Sequence, residues 1–423
     1  MQFKTVCMVG LGYIGLPTAC KFAQSGLNVI GMDINRGILD KLNQGAIHIY
    51  EPGLHELVAE VLESGRLSIS PEVVDADAFI IAVPTPFHDD KTADMSFVES
   101  ASESIVLHLK QGNLVILEST SPPMTTIDIV APILEKSGLQ AGRDFYLAYS
   151  PERVLPGKIL KELVENARVI GGVDRASAEA GRDLYQYFVH GEIILTDATT
   201  AEMVKLMENT SRDINIAIAN EFCRLADRFG VDIWEAISIA NRHPRVNILK
   251  PGIGVGGHCI SVDPWFLVEA APDRAELIKT ARKINDAQPE FVCEVIENTF
   301  GDLSQKRIAF LGLAFKPNVD DLRESPAVEL AHILMKKCAS LTACEPYKTD
   351  ATWKSIPINN NVEQLLKEVD LVVLAVNHQQ FSEWNPTEIA RINPRLAIFD
   401  AVNGWSKEPW ETAGLIYRGL AKK

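Results

Sequence analysis

Gly10-Leu11-Gly12-Tyr13-Ile14-Gly15 is the stretch that most restricts what this chain can become. It follows a compact apolar run, Lys4 to Val9, and opens a helical periodicity from Leu16 to Gln24 that stops at Gly26. A second apolar run, Leu27 to Met32, ends on Asp33. Strand, glycine turn, helix, strand and acid in that order predict a βαβ unit that cradles a dinucleotide. The glycines let backbone approach a pyrophosphate at a helix N-terminus, where unpaired N–H groups and the helix dipole favour anions. Asp33 can accept hydrogen bonds from ribose hydroxyls and would repel a 2′-phosphate, so NAD is expected over NADP. The nearby Arg36 tempers that preference.

The βα style continues. Asp77 to Val83 reads as a strand ending in Pro84-Thr85-Pro86, Leu114 to Leu117 as one ending in Glu118-Ser119-Thr120, and Phe145 to Tyr149 as one ending in Ser150-Pro151-Glu152-Arg153. In an open α/β sheet the carboxyl ends of the strands face the ligand crevice, so Thr85, Thr120 and Glu152 point to one cleft. Each is also an ordinary turn residue, and only the repetition favours a site. Thr199 to Gly230 has helical spacing and no proline, and is longer than the usual globular helix. Lys205 and Asn209 share a face of it, either as a functional pair or as a solvated stripe. Helical patterns run on to Phe300. From Arg307 the strand pattern returns, through Leu341 to Cys344 and Asp370 to Val376, with Gly312 standing where Gly10 does and Glu345 where Asp33 does. This copy lacks the second and third glycines, so it should keep a sheet without cradling a dinucleotide in the same way.

The predicted class is therefore α/β, with two Rossmann-like domains joined by a helical middle that contains a long spine helix. Residues 1–198 form the first domain, 199–300 the helical middle and 301–423 the second. A chain of 423 residues is too long for one core. Its net charge of −15 argues against a nucleic-acid surface, so anionic ligands need local basic contacts. Seven cysteines without a CxxC pair predict a reducing compartment and no metal site. With no signal-like N-terminus and no apolar run near ~20 residues, a cytoplasmic location without a membrane partner is expected.

Between the two halves lies Lys250 to Pro264, Lys-Pro-Gly-Ile-Gly-Val-Gly-Gly-His-Cys-Ile-Ser-Val-Asp-Pro. So much glycine excludes an ordinary helix or strand, and it lets the backbone close around a ligand. Cys259, beside His258 and four residues before Asp263, is a candidate nucleophile. The alternative is a small buried hydrophobe.

Taken together, GLGYIGLP, Val-Pro-Thr-Pro, Glu-Ser-Thr, Ser-Pro-Glu-Arg, Lys-Leu-Met-Glu-Asn, Gly-Val-Gly-Gly-His-Cys-Ile-Ser-Val-Asp-Pro, Phe-Lys-Pro-Asn and Arg-Glu-Ser-Pro resemble the UDP-glucose/GDP-mannose dehydrogenase family. The match is ordered and spans nearly the whole chain. Arg-His-Pro-Arg-Val-Asn before Gly-Gly-His-Cys is most similar to the members that oxidise UDP-N-acetyl-D-mannosamine. His258 stands where enzymes acting on UDP-glucose typically carry serine.

The resemblance implies a four-electron oxidation of the sugar C6 alcohol to a carboxylate, with two NAD reduced. It makes Cys259 the nucleophile that captures the aldehyde as a thiohemiacetal and then carries a thioester. It implies that Lys205 stabilises oxyanions at C6 and that Asn209 hydrogen-bonds the reacting group. Asp263 would take part in proton transfer, with Thr120 positioning water and Glu152 acting as general base for hydrolysis. The implied cofactor contacts are Gly10, Gly12, Tyr13, Ile14, Gly15, Asp33, Arg36, Thr85, Thr120 and Arg323. Substrate contacts fall on Glu152, Arg153, Lys205, Asn209, Arg245, Lys250, Gly256 and Lys316. The implied partners are a UDP-sugar and a second copy of the chain, as a homodimer or dimer of dimers, with Arg245 reaching across.

Overall fold

Thr5–Val9 forms β1, and its side chains alternate between two cores: Val6 and Met8 pack on one side of the sheet, Cys7 and Val9 on the other. A strand covered on both faces has no polar positions to spare, which is why its sequence is a continuous apolar run. The computed structural model describes every residue except Asp89, Pro156, His258 and Lys423. It divides into two compact units, residues 1–208 with 265–272 and residues 209–264 with 273–423.

The first unit is built on one sheet. After β1 come β2 (Asn28–Met32), β3 (Leu67–Ser70), β4 (Ala78–Ile81), β5 (Leu114–Leu117), β6 (Tyr146–Tyr149), β7 (Arg168–Gly172) and β8 (Ile193–Asp197). Their order is β3-β2-β1-β4-β5-β6-β7-β8. The first six strands are parallel and reproduce the dinucleotide-binding order, with its switch point between β1 and β4. β7 pairs antiparallel with β6, and β8 runs parallel to β7. That reversal pairs the two strand ends, Tyr149 with Gly171, and runs the start of β7 alongside the residues that follow β6, a placement that matters for the site.

The second unit holds a five-stranded parallel sheet. Its strands are β9 (Arg307–Leu311) and β10 (Ser340–Cys344), then, after a small hairpin of β11 (Thr352–Trp353) and β12 (Ile356–Pro357), β13 (Leu371–Leu374), β14 (Ala397–Asp400) and β15 (Ile416–Gly419). The order β10-β9-β13-β14-β15 matches the first sheet from β2 to β6, without an equivalent of β3. The expected echo is present in detail. Gly312 (φ +88°) turns the chain after β9 as Gly10 (φ +100°) does after β1. Glu345 accepts from Leu313 N as Asp33 accepts from Leu11 N.

The chain passes from the first unit to the second inside one continuous helix, Ala198–Phe229, of 32 residues. At 1.5 Å per residue it is about 48 Å long. Residues 276–300, helical in the sequence pattern, form two helices, Glu276–Asp286 and Gln288–Phe300, the second with proline in its first turn. Among the described residues no helix is long and apolar enough to cross a membrane.

Candidate active site

The glycine turn after β1 has three different roles for its three glycines. A Cβ on Gly10 would lie 2.5 Å from Ala82 O, across the switch point, and one on Gly15 would lie 1.9 Å from Gly10 O. Gly15 closes the turn against itself, and Gly10 seats it against the end of β4. Gly12 instead faces open space, with nothing within 4 Å of its would-be Cβ. The N-cap residue of the following helix, Gly15–Gln24, is Ile14, which makes no side-chain cap. Open backbone at a helix N-terminus is the cradle a pyrophosphate requires. Asp33 stands just past β2, its Oδ2 accepting from Leu11 N at 2.9 Å and its Oδ1 from Asn35 N at 2.8 Å. Each carboxylate oxygen keeps further acceptor capacity for a ribose. Its counterpart Glu345 is fully buried, taking Leu313 N, Ala314 N, Tyr347 N and His378 Nε2. The residues of the first turn fit NAD, and those of the second turn are spent on their own loop. Tyr13 and Arg36 are exposed, and Ile14, Thr85 and Thr120 are half-buried.

Glu152, at the end of β6, is not a solvated carboxylate. It is buried, and its Oε2 accepts from Arg168 Nη2 at 3.0 Å. Arg168 opens β7, so the antiparallel step between β6 and β7 brings this cation in. The sequence reading missed Arg168 because nothing local marks it. Its other branch, Nη1, donates to Glu118 Oε1 and Ser150 Oγ, both at 2.9 Å. A cavity of about 10 Å³, room for about one water, is lined by Glu152, Arg153 and Arg168 among others. Arg153 itself reaches the long helix, pairing with Glu208 at 2.8 Å. Glu202, one turn and a half earlier, takes Met124 N, Thr126 N and Thr126 Oγ, which fixes the turn that follows Thr120.

Lys205 lies on the same helix and is only 9% exposed. It makes no ion pair among the described residues. A buried ammonium without a carboxylate is costly. The solvated-stripe reading of Lys205 therefore fails on exposure alone.

In the second unit, the glycine-rich loop is held at its root. Asn220 Oδ1 accepts from Gly252 N at 3.0 Å, and Gln288 Nε2 donates to Gly252 O at 3.1 Å. Asn220 is held in turn by Asn285, and Asn285 by Asp213, which pairs with buried Arg282. Further along, a Cβ on Gly256 would lie 2.3 Å from Glu324 O and 2.6 Å from Pro326 Cδ. Only glycine fits there. The loop then turns into the helix Asp263–Ala270, with Asp263 N bonded to Cys259 O at 2.9 Å. Asp263 is 2% exposed, and its Oδ2 accepts from Asn209 Nδ2 at 2.6 Å.

Cys259, one turn earlier, is exposed. It differs in this from the other six cysteines. Burial pushes the thiols of Cys7 and Cys293 up to about 11 and those of Cys20, Cys223 and Cys344 up to about 12, and it raises Cys338 as well. Burial thus makes those six hold their protons more firmly than a free cysteine does. The buried-hydrophobe reading of Cys259 is excluded. His258, beside it, lies outside the described residues. Arg245 and Lys250 are exposed and Lys316 is half-buried, its Nζ 5.6 Å from the Phe315 ring centre. Arg323 is exposed and gripped by both oxygens of Asp321, at 2.9 Å each.

Comparison with known proteins decides the family. Residues 4–189, 199–287 and 309–407 match, in turn, the NAD-binding, central and UDP-binding domains of the UDP-glucose/GDP-mannose dehydrogenase family. The chain belongs to that family. It is an NAD-dependent nucleotide-sugar dehydrogenase, and its substrate is a UDP-sugar. This dehydrogenase is 47% identical over 416 residues to an NDP-N-acetyl-D-galactosaminuronic acid dehydrogenase of Ralstonia nicotianae, covering 96% of this chain and 97% of that one. It is 49% identical over 399 residues to a UDP-N-acetyl-D-mannosamine dehydrogenase of Campylobacter jejuni, covering 90% and 97%. Among solved structures, a UDP-D-ManNAc dehydrogenase from Pyrococcus horikoshii superposes with a TM-score of 0.90 at 41% identity, covering 99% of both chains.

Proposed function

We propose that this dehydrogenase oxidises C6 of a UDP-N-acetylhexosamine to the carboxylate in two successive two-electron steps, with UDP-N-acetyl-D-mannosamine the favoured substrate. The observation that carries the chemistry is the exposure of Cys259 on a rigidly anchored loop, one helical turn before a buried carboxylate. Residues 1–198 hold NAD, with Gly10, Gly12, Tyr13, Ile14 and Gly15 around its pyrophosphate and Asp33 at the ribose; Arg36, Thr85 and Thr120 complete that side. NAD would supply the hydride acceptor when bound, one molecule for each of the two oxidations in turn. Residues 199–300 carry the reacting loop, and residues 301–423 take the UDP group, with Arg245, Lys250, Gly256 and Lys316 as contacts.

In this reading the Cys259 thiolate adds to the C6 aldehyde and forms a thiohemiacetal, whose oxidation leaves a thioester on sulfur. Covalent capture keeps the aldehyde from escaping and splits a difficult oxidation into smaller steps. Lys205 supplies a preorganised positive charge to the C6 oxyanion. Asn209 and Asp263, already bonded to each other, orient the C6 oxygen and carry its proton. Water then attacks the thioester with Glu152 as base and Thr120 as its guide. The acid is released and the thiol restored.

The sugar assignment rests on the loop sequence and on the Campylobacter and Pyrococcus relatives, whose names specify N-acetylmannosamine. The Ralstonia relative supports a second reading, an N-acetylgalactosamine-type substrate. Both are 2-acetamido sugars. Initial rates of NADH formation over UDP-N-acetylmannosamine, UDP-N-acetylglucosamine, UDP-N-acetylgalactosamine and UDP-glucose separate them. The highest kcat/KM is expected with UDP-N-acetylmannosamine, and a preference for UDP-glucose would remove the acetamido assignment altogether.

The same reading includes a homodimer. On the long helix Met203, Met207, Ile218, Phe222, Leu225 and Phe229 are all exposed, at spacings of three, four and eleven residues that fall on one face. An apolar stripe of that length is a surface for another copy. Light scattering should give a mass of two chains or a multiple of two.

A further inference from the structure

We infer that Glu118 is a positioning residue for Glu152, acting through Arg168, whose single guanidinium the two carboxylates share. The inference rests on the reading of Glu152 as the base that hydrolyses the thioester. The three side chains are buried together, at 0%, 6% and 10% exposure for Glu118, Arg168 and Glu152. Arg168 Nη1 donates to Glu118 Oε1 at 2.9 Å and Nη2 to Glu152 Oε2 at 3.0 Å. Tyr185 OH also donates to Glu118 Oε1, at 3.0 Å, and its ring lies 4.0 Å from the guanidinium carbon. Arg168, Glu152 and Tyr185 are the charged and titratable groups that face Glu118, from β7, from the end of β6 and from the helix Arg175–Tyr185.

Two carboxylates and one cation make a buried net charge of −1, which a site so deeply buried resists. The proton that relieves it belongs on Glu118. Its Oε2 is buried without a hydrogen-bond partner among the described residues. Burial, partly offset by Arg168, pushes this carboxyl up to about 7. With the proton on Glu118, the charge of Arg168 falls mainly on Glu152 and holds its Oε2 firmly. When the proton leaves, the two carboxylates divide the guanidinium and repel each other, and the grip of Arg168 on Glu152 loosens. A group that never meets substrate thus sets how firmly one that does is held.

The test is the pH profile of kcat with saturating UDP-N-acetylmannosamine and NAD, for the unaltered enzyme, Glu118→Gln and Glu152→Gln. Glutamine at 118 keeps an acceptor for Arg168 and Tyr185 but cannot titrate. The unaltered enzyme should show a rise of about threefold in kcat through neutral pH, and Glu118→Gln should lose that rise while KM for the sugar stays the same. A Glu118→Gln profile that keeps the rise overturns the inference. Glu152→Gln with undiminished kcat would instead remove the role given to Glu152, whatever Glu118 does. Infrared titration of the unaltered protein checks the same point without any variant. A buried carboxylic acid should lose its proton near neutrality, and a spectrum without one overturns the inference.

Discussion

Asn209 Nδ2 donates to Asp263 Oδ2 at 2.6 Å, and this bond ties the long helix to the turn that presents Cys259. Asp263 is buried, so the bond cannot be replaced by bulk water. Removing the amide with Asn209→Ala leaves a charged acceptor short of a donor, which costs about 1–3 kcal/mol. Urea denaturation should show that loss, and turnover should fall with it. Asn209→Asp should be worse on both measures, because it sets a second carboxylate against the first. Stability unchanged in both variants would show that Asp263 is held by its other surroundings.

The cysteines predict a labelling pattern. Iodoacetamide on the native enzyme should modify Cys259 first, since Cys7, Cys20, Cys223, Cys293 and Cys344 are buried. Activity should fall in step with that single modification, and UDP-sugar should slow it. Peptide mapping that finds another cysteine modified first, with activity lost alongside, would move the reacting thiol elsewhere.

Asp33 predicts cofactor choice. Its carboxylate would face the 2′-position, so NAD should outperform NADP, and Asp33→Ser should narrow the gap by on the order of tenfold in kcat/KM. Part of the change must come from lower activity with NAD, because Asp33 also fixes Leu11 N and Asn35 N. A ratio untouched by the substitution would assign the choice to Arg36.

Glu118 predicts a stability profile independent of catalysis. Its carboxyl is raised from 4.5 to about 7 in the folded protein, by burial above all. The folded state therefore binds this proton more tightly than the unfolded chain does. The resulting stabilisation is complete below about pH 4.5 and is lost as pH rises through about 7. Glu118→Gln should flatten that part of the curve in thermal melts taken across the range. An identical slope in the variant would mean that another group titrates there.

Much of this was legible in the chain. The turn at Gly10 to Gly15 is dictated partly by contacts within a few residues, 1.9 Å in the case of Gly15 and Gly10 O, which local sequence carries, and partly by Ala82 O at the end of the neighbouring strand. The long helix announced itself by periodicity and the absence of proline. Exposure did not announce itself: Lys205 looked like half of a solvated stripe and is buried, and Cys259 could have been a core residue and is exposed. Neither follows from residue type, because both depend on what packs around the segment. Glu152 reads as a base pointing into the ligand cleft, with no partner named for it. Its partner Arg168 lies 16 residues away, and Glu118 a further 50 from Arg168. They meet only because β5, β6 and β7 are neighbours and β7 runs backwards, which no spacing rule for parallel βαβ units anticipates.

The central claim is that Cys259 carries the sugar between two oxidations, and the amount of NADH formed per sugar consumed tests it most directly. The unaltered enzyme should give two NADH for each molecule of sugar acid, with no free aldehyde trapped by an added amine. Cys259→Ala should lose this turnover, retaining at most a slow first oxidation with one NADH and releasable aldehyde, because its cofactor and sugar contacts are intact. Two NADH per sugar from the alanine variant, at a rate near that of the unaltered enzyme, would contradict covalent catalysis at Cys259.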